Sequence, residues 1–172
     1  MKVAFLTAGG IAPCLSSSIG ILMDKYSLLD DSIEFIGYLN GYKGLLNGNK
    51  IDLIAKDTNI INSFGGSLLG NSRVKLTNIT DCIDNGYVKP GQNPIEVAAE
   101  QLINDKVDVL HTIGGDDTNT TAGDLFKHIS DKNYKITVVG LPKTIDNDVY
   151  PIKQTLGAHT AAEQTAVFFN NI

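Results

Sequence analysis

Arginine is almost missing from this chain: Arg73 is the only one in 172 residues. Lys and Arg together number 14 against 19 Asp and Glu, for a formal net charge of −5. Nucleic-acid binding relies on clustered positive charge, so an acidic chain with dispersed lysines speaks against it. Cysteine is scarce as well. Cys14 and Cys82 lie far apart with no Cys-x-x-Cys spacing, which supports neither a zinc site nor a redox pair. They read as reduced thiols in a reducing compartment. No apolar run approaches the length of a membrane span. The strand-like Val3-Ala4-Phe5-Leu6 near the N-terminus is unlike a signal peptide. A cytoplasmic setting without membrane or nucleic-acid partners is the expectation. Two phosphate-binding signatures are missing too: there is no Gly-x-x-x-x-Gly-Lys-Ser/Thr and no Gly-x-Gly-x-x-Gly. The histidines His111, His128 and His159 form no ligand pattern.

What is present reads as one globular domain with a real core. Val3–Thr7, Ile33–Tyr38, Val107–Ile113 and Ile136–Leu141 are short continuous runs rich in Val and Ile. Such runs fit strands buried on both faces of a parallel sheet. Between them lie helical patterns at Ser16–Tyr26, Pro94–Asp105 and Thr120–Ser130, with Pro94 where a first turn tolerates it. The alternation predicts an α/β fold: a Rossmann-like open, mostly parallel sheet with helices on both faces. Residues 41–91 are richer in turn signals and are expected to form loops, short strands and one helix over the same sheet edge. Near the C-terminus Ala158, Ala161, Ala162, Thr165, Ala166, Phe169 and Ile172 share a helical face. That face ends without a stop signal, and the expectation is an N-terminal part of a longer protein.

Two acidic stretches carry the chemistry. Gly114-Gly115-Asp116-Asp117-Thr118 and Pro142-Lys143-Thr144-Ile145-Asp146-Asn147-Asp148 each follow an apolar run, one βαβ unit apart. A right-handed crossover brings the C-terminal ends of both strands to one edge. Asp116, Asp117, Lys143, Asp146 and Asp148 are therefore expected to crowd one crevice, suited to a metal-bound phosphate. Three glycine pairs point the same way: Gly9-Gly10, Gly65-Gly66 and Gly114-Gly115, the second leading into Arg73. Glycine lets backbone N–H groups approach an anion closely.

The motifs Thr7-Ala8-Gly9-Gly10-Ile11-Ala12-Pro13, Gly41-Tyr42-Lys43-Gly44-Leu45, Gly65–Arg73, Gly114–Thr118 and Pro142–Asp148 follow one another in this order. Together they resemble the phosphofructokinase family along the whole chain. Pro-x-Thr-Ile-Asp-Asn-Asp is the most specific of them. The resemblance implies that Gly10 and Arg73 contact the phosphoryl donor and that Asp116 holds Mg²⁺. It implies that Thr144 contacts the sugar and that Asp146 is the base taking the proton from the 1-hydroxyl of fructose 6-phosphate. Asp148 would assist at the metal or the base, or else cap a turn.

The family resemblance also bears on the donor. ATP-dependent members usually carry Gly-Gly-Asp-Gly and Pro-Gly-Thr-Ile-Asp, whereas this chain has Asp117 and Lys143, the pair typical of pyrophosphate-dependent members. A carboxylate at Asp117 would repel an ATP α-phosphate, and Lys143 could neutralise developing charge on pyrophosphate. The competing possibility is that Asp117 and Lys143 merely pair with each other. The first loop departs from the family pattern at Ile11–Ser16, where Cys14 reads as a small apolar filler. The expectation is thus an enzyme, a Mg-dependent phosphotransferase using pyrophosphate and fructose 6-phosphate in glycolysis. Residues 1–172 would be its N-terminal donor-binding domain. By the same resemblance the second, sugar-phosphate domain is expected to be missing from this chain, and the chain alone to be inactive. The full-length protein would be a homo-oligomer, a dimer or tetramer. An ATP-dependent 6-phosphofructokinase and a non-catalytic phosphate-binding or regulatory subunit remain the alternatives.

Overall fold

The computed structural model describes residues 1–172, the side chain of Lys56 apart. At its centre is β1 (Lys2–Thr7), flanked in parallel by β2 (Glu34–Tyr38) and β4 (Val109–Gly114). β5 (Thr137–Pro142) extends the parallel sheet beyond β4, and β3 (Lys50–Leu53) runs antiparallel along β2. The order is β3-β2-β1-β4-β5, the expected open and mostly parallel sheet with one antiparallel edge.

Side chains alternate along β1 and so feed two cores. Val3 and Phe5, with Phe35, pack against Leu15, Ile19 and Met23 of α1 (Cys14–Ser27) and Ile61 of α3 (Thr58–Ser63). Ala4 and Leu6, with Ile36 and Leu110, face the opposite layer. That layer holds α2 (Tyr42–Asn47), α4 (Ile79–Asp84), α5 (Pro94–Asn104) and α6 (Asp116–Asp131). Pro94 opens α5 as expected, and the Asn93 side chain caps it by accepting from Ile95 N at 3.0 Å.

Three expectations need correction. Among the described residues, 41–91 contain three short α-helices and a 3-10 turn, not one helix, together with the single strand β3. Each of those helices has six residues, too few to display a helical period, and each is held by a buried anchor: Leu45, Ile61 or Cys82. Next, α6 begins at Asp116, ahead of the expected Thr120. Its first turn is polar and hides from a hydrophobicity pattern, although acidic residues suit a helix N-terminus. Finally, β5 is not buried on both faces: Thr137, Val139 and Gly140 are exposed on this edge strand. The C-terminal helix forms as α7 (Ala158–Asn170), but none of its residues is buried, and Val167, Phe168 and Phe169 lie open. Among the described residues no helix is long and apolar enough to cross a membrane.

Candidate active site

The strand order reverses between β1 and β4, so the loops leaving their C-terminal ends diverge and open a crevice. Ala8 N still donates to Ile113 O at 3.0 Å, continuing the ladder; one residue later Gly9 N turns away to Ser72 O at 2.9 Å. Gly9 makes that turn at φ +79°. Gly114 is required for closeness: a Cβ there would lie 2.5 Å from Thr118 Oγ1 and 2.7 Å from Ala8 O. Lys143 N donates to Gly114 O at 2.7 Å and seats the last loop beside the other two.

The crevice is two adjoining clefts. The smaller, about 510 Å³, is lined by Gly9, Gly10, Arg73, Lys75 and Asp117 among others. The larger, about 800 Å³, is lined by Lys143, Thr144, Asp146 and Asp148 together with Cys14 and Thr160. Gly115 and Asp116 belong to both. The five charged groups expected in one crevice are therefore divided, with Asp117 on one side, Lys143, Asp146 and Asp148 on the other, and Asp116 on the common wall.

Asp116 and Asp117 stand in the first turn of α6, and Gly115 at its N-cap has extended backbone and no side-chain cap. The first N–H groups of that turn have no partner within the helix, which makes the end favourable for an anion. Asp117 does not pair with Lys143. Its Oδ2 lies 2.8 Å from Lys75 Nζ, and Lys143 Nζ instead donates to Gly10 O at 2.7 Å. Asn71 Nδ2 donates to Gly9 O and Gly10 O, each at 3.2 Å, so both carbonyls of the first glycine pair are turned toward Asn71. Neither Lys75 nor Asn71 stood out in the sequence. The only signals were Lys75 falling two residues past Arg73 and Asn71 sitting inside a glycine-rich loop.

The loop after β5 is braced from within. Thr144 Oγ1 donates to Asp146 Oδ2 and accepts from Asp146 N, both at 3.1 Å. Asn147, at φ +53°, accepts from Thr155 N at 2.8 Å through its Oδ1. Thr155, 2% exposed, donates its hydroxyl to Thr144 O at 2.6 Å. Asp148 is exposed and makes no side-chain hydrogen bond among the described residues, so it is not a cap here.

Cys14 opens α1 on the wall of the larger cleft, and burial pushes its thiol above the usual range, in keeping with a filler. His111 belongs to the core. It stacks on Phe5 with ring centroids 5.4 Å apart and shares a 2.9 Å hydrogen bond with the Tyr26 hydroxyl. Burial pulls its pKa down to about 4. His159 sits on α7, with Nε2 3.1 Å from Glu163 Oε1. Among the described residues no cluster of three or more His, Cys, Asp or Glu could cage a metal ion.

The family model "Phosphofructokinase" matches residues 2–172. The chain belongs to the phosphofructokinase family. It is 59% identical over 174 residues to a pyrophosphate–fructose 6-phosphate 1-phosphotransferase of Methylomonas methanica, covering 99% of this chain and 42% of that protein. It is 54% identical over 173 residues to the protein of that name from Mastigamoeba balamuthi, again covering 99% of this chain and 42% of the relative. The chain thus spans well under half the length of these relatives. Among solved structures it resembles the T-state phosphofructokinase of Pichia pastoris, with TM-score 0.80 and 21% identity over all of this chain and 17% of that one. At that identity the likeness concerns the fold, and it agrees with the open sheet described above.

Proposed function

We propose that this chain forms the donor-side domain of a pyrophosphate-dependent phosphofructokinase. The enzyme would transfer a phosphoryl group from pyrophosphate to the 1-hydroxyl of fructose 6-phosphate, giving fructose 1,6-bisphosphate in glycolysis. The observation that carries this reading is the division of charge at the switch point. Asp117 adds a carboxylate to the wall of the smaller cleft at the first turn of α6. Lys143 leans from the larger cleft onto the rim of the smaller one at Gly10.

In this reading Gly10 and Arg73 line the place of the donor. A short donor such as pyrophosphate ends before Asp117, whereas a nucleotide would have to set its α-phosphate against that carboxylate. Lys143 faces the junction of the clefts, where negative charge develops as the phosphoryl group moves. Asp146 acts as the base toward the acceptor hydroxyl. Its carboxylate is aimed by the Thr144 hydroxyl, which Asp146 N–H holds in turn. Thr144 and Asp148 flank the acceptor in the same cleft. Asp116 stands exposed on the common wall and fits Mg²⁺, an ion that keeps several waters and needs only one or two carboxylates beside the phosphates. When bound there, Mg²⁺ supplies positive charge to offset that of the donor.

A sugar phosphate normally takes several Arg or Lys, and the only Arg here lies on the donor side. The acceptor's phosphate would therefore be met by the part of the relatives' length outside these residues, in a cytoplasmic homo-oligomer. The test is a donor comparison on the protein at its relatives' full length. Turnover with pyrophosphate and little with ATP is expected; robust turnover with ATP alone would overturn the reading. Asp146→Asn should lower kcat by about 10²–10⁴-fold. Unchanged turnover in that variant would favour a non-catalytic phosphate-binding subunit.

A further inference from the structure

We propose that Lys75 is a donor-specificity residue, the counter-charge that makes Asp117 tolerable in a cleft built for an anion. The inference rests on the pyrophosphate reading above and extends it to a side chain with no assigned role.

The smaller cleft poses a problem. Arg73 is its only arginine, while Asp116 and Asp117 both contribute negative charge to its wall. An unpaired carboxylate at Asp117 would repel any phosphate donor, the small one included. The structure answers this with Lys75, whose Nζ lies 2.8 Å from Asp117 Oδ2 on the same cleft wall. The pair is exposed, 46% and 72% for the two side chains, and exposed pairs of this kind contribute little to folding. Its consequence lies in the charge the cleft presents. Paired, the two side chains are close to neutral toward pyrophosphate yet keep their bulk where a nucleotide's α-phosphate would go.

Lys75 is also held in place from both directions along the chain. Upstream, Ser72 donates its hydroxyl to Asn40 O at 2.6 Å, and its carbonyl accepts from Gly9 N at 2.9 Å. Downstream, Leu76 is fully buried, and the Lys75 carbonyl accepts from Asn78 N at 3.1 Å. On the Asp117 side, the Tyr42 hydroxyl donates to Thr118 O at 2.8 Å and pins the first turn of α6 that carries Asp117. The two backbones that bear the charges are thus set against each other, with Leu76 and Tyr42 as buried anchors.

The test uses the full-length enzyme with Lys75→Met, Lys75→Arg, Asp117→Asn and the double variant Lys75→Met/Asp117→Asn. Lys75→Met should raise KM for pyrophosphate about tenfold or more, with KM for fructose 6-phosphate within about twofold and melting temperature unchanged. Lys75→Arg should retain pyrophosphate use. The decisive arm is the double variant: removing the stranded carboxylate should recover most of the pyrophosphate affinity lost in Lys75→Met. A KM for pyrophosphate within about twofold of wild type in Lys75→Met, or a double variant no better than Lys75→Met, overturns the role of Lys75 while leaving the donor reading intact. Wild-type enzyme that turns over ATP but not pyrophosphate overturns the donor reading and this role with it.

Discussion

Lys143 donates a 2.7 Å hydrogen bond to the carbonyl of Gly10, a residue 133 positions earlier in the chain. This bond ties the loop after β5 to the loop after β1 across the edge where the two clefts meet. A lysine so placed carries its charge to the junction while one of its protons is committed to the backbone, so its position is set before any ligand arrives.

Lys143→Met should therefore cost more than a charge. With the stem kept and the ammonium gone, kcat is expected to fall by about 10²–10³-fold, as for removal of one preorganised donor at a developing charge. KM for fructose 6-phosphate should change far less. Steady-state kinetics of the full-length enzyme with pyrophosphate and fructose 6-phosphate each varied in turn would show the split; a change confined to KM would contradict the assignment.

Thr155→Val tests the brace under the acidic loop. The buried Thr155 hydroxyl donates to Thr144 O and lies 3.2 Å from Asn147 Oδ1, so an isosteric methyl strands an acceptor. A loss of about 1–3 kcal/mol in denaturant-derived stability is expected. Faster amide exchange should appear through residues 143–155 while the exchange of β1 and β4 stays as it was. Thr155→Ser, which keeps the hydroxyl, should restore most of the protection.

His111 predicts a pH dependence of folding. Its folded pKa is lowered to about 4 from an ordinary 6.5 because burial disfavours the charged ring. The unfolded chain takes up that proton near pH 6.5, and the folded chain does not until near pH 4. Stability from this residue is thus fully present above pH 6.5 and declines as pH falls through that window, by on the order of 3 kcal/mol in total. Thermal melts between pH 7 and pH 4, with the ring followed by NMR, would measure it. A ring that titrates near its ordinary value in the folded protein would contradict the buried, neutral state.

β1, β2 and β4 were legible because they are short apolar runs, and two-sided burial leaves that pattern in a sequence. The acidic motifs were legible because each follows such a run. Residues 41–91 were not, since α2, α3 and α4 owe their existence to anchors supplied by distant elements. Asp117 shows the same limit within the site. Its presence and its sign could be read from the chain, but its partner could not. Lys143 was the pairing that the motifs suggested, and nothing in the spacing along the chain pointed to Lys75, the partner found in the fold.

The sequence by itself determined which charges reach this sheet edge, because alternating strands and helices give parallel strands whose right-handed crossovers bring their C-terminal ends to one side. Only the tertiary structure decided that they divide between two clefts sharing Asp116, that Lys75 answers Asp117, and that Lys143 spans to Gly10. The physical reason is range. Backbone pattern is a local property, whereas an ion pair or a hydrogen bond depends on a few ångströms set by packing between segments far apart in the chain.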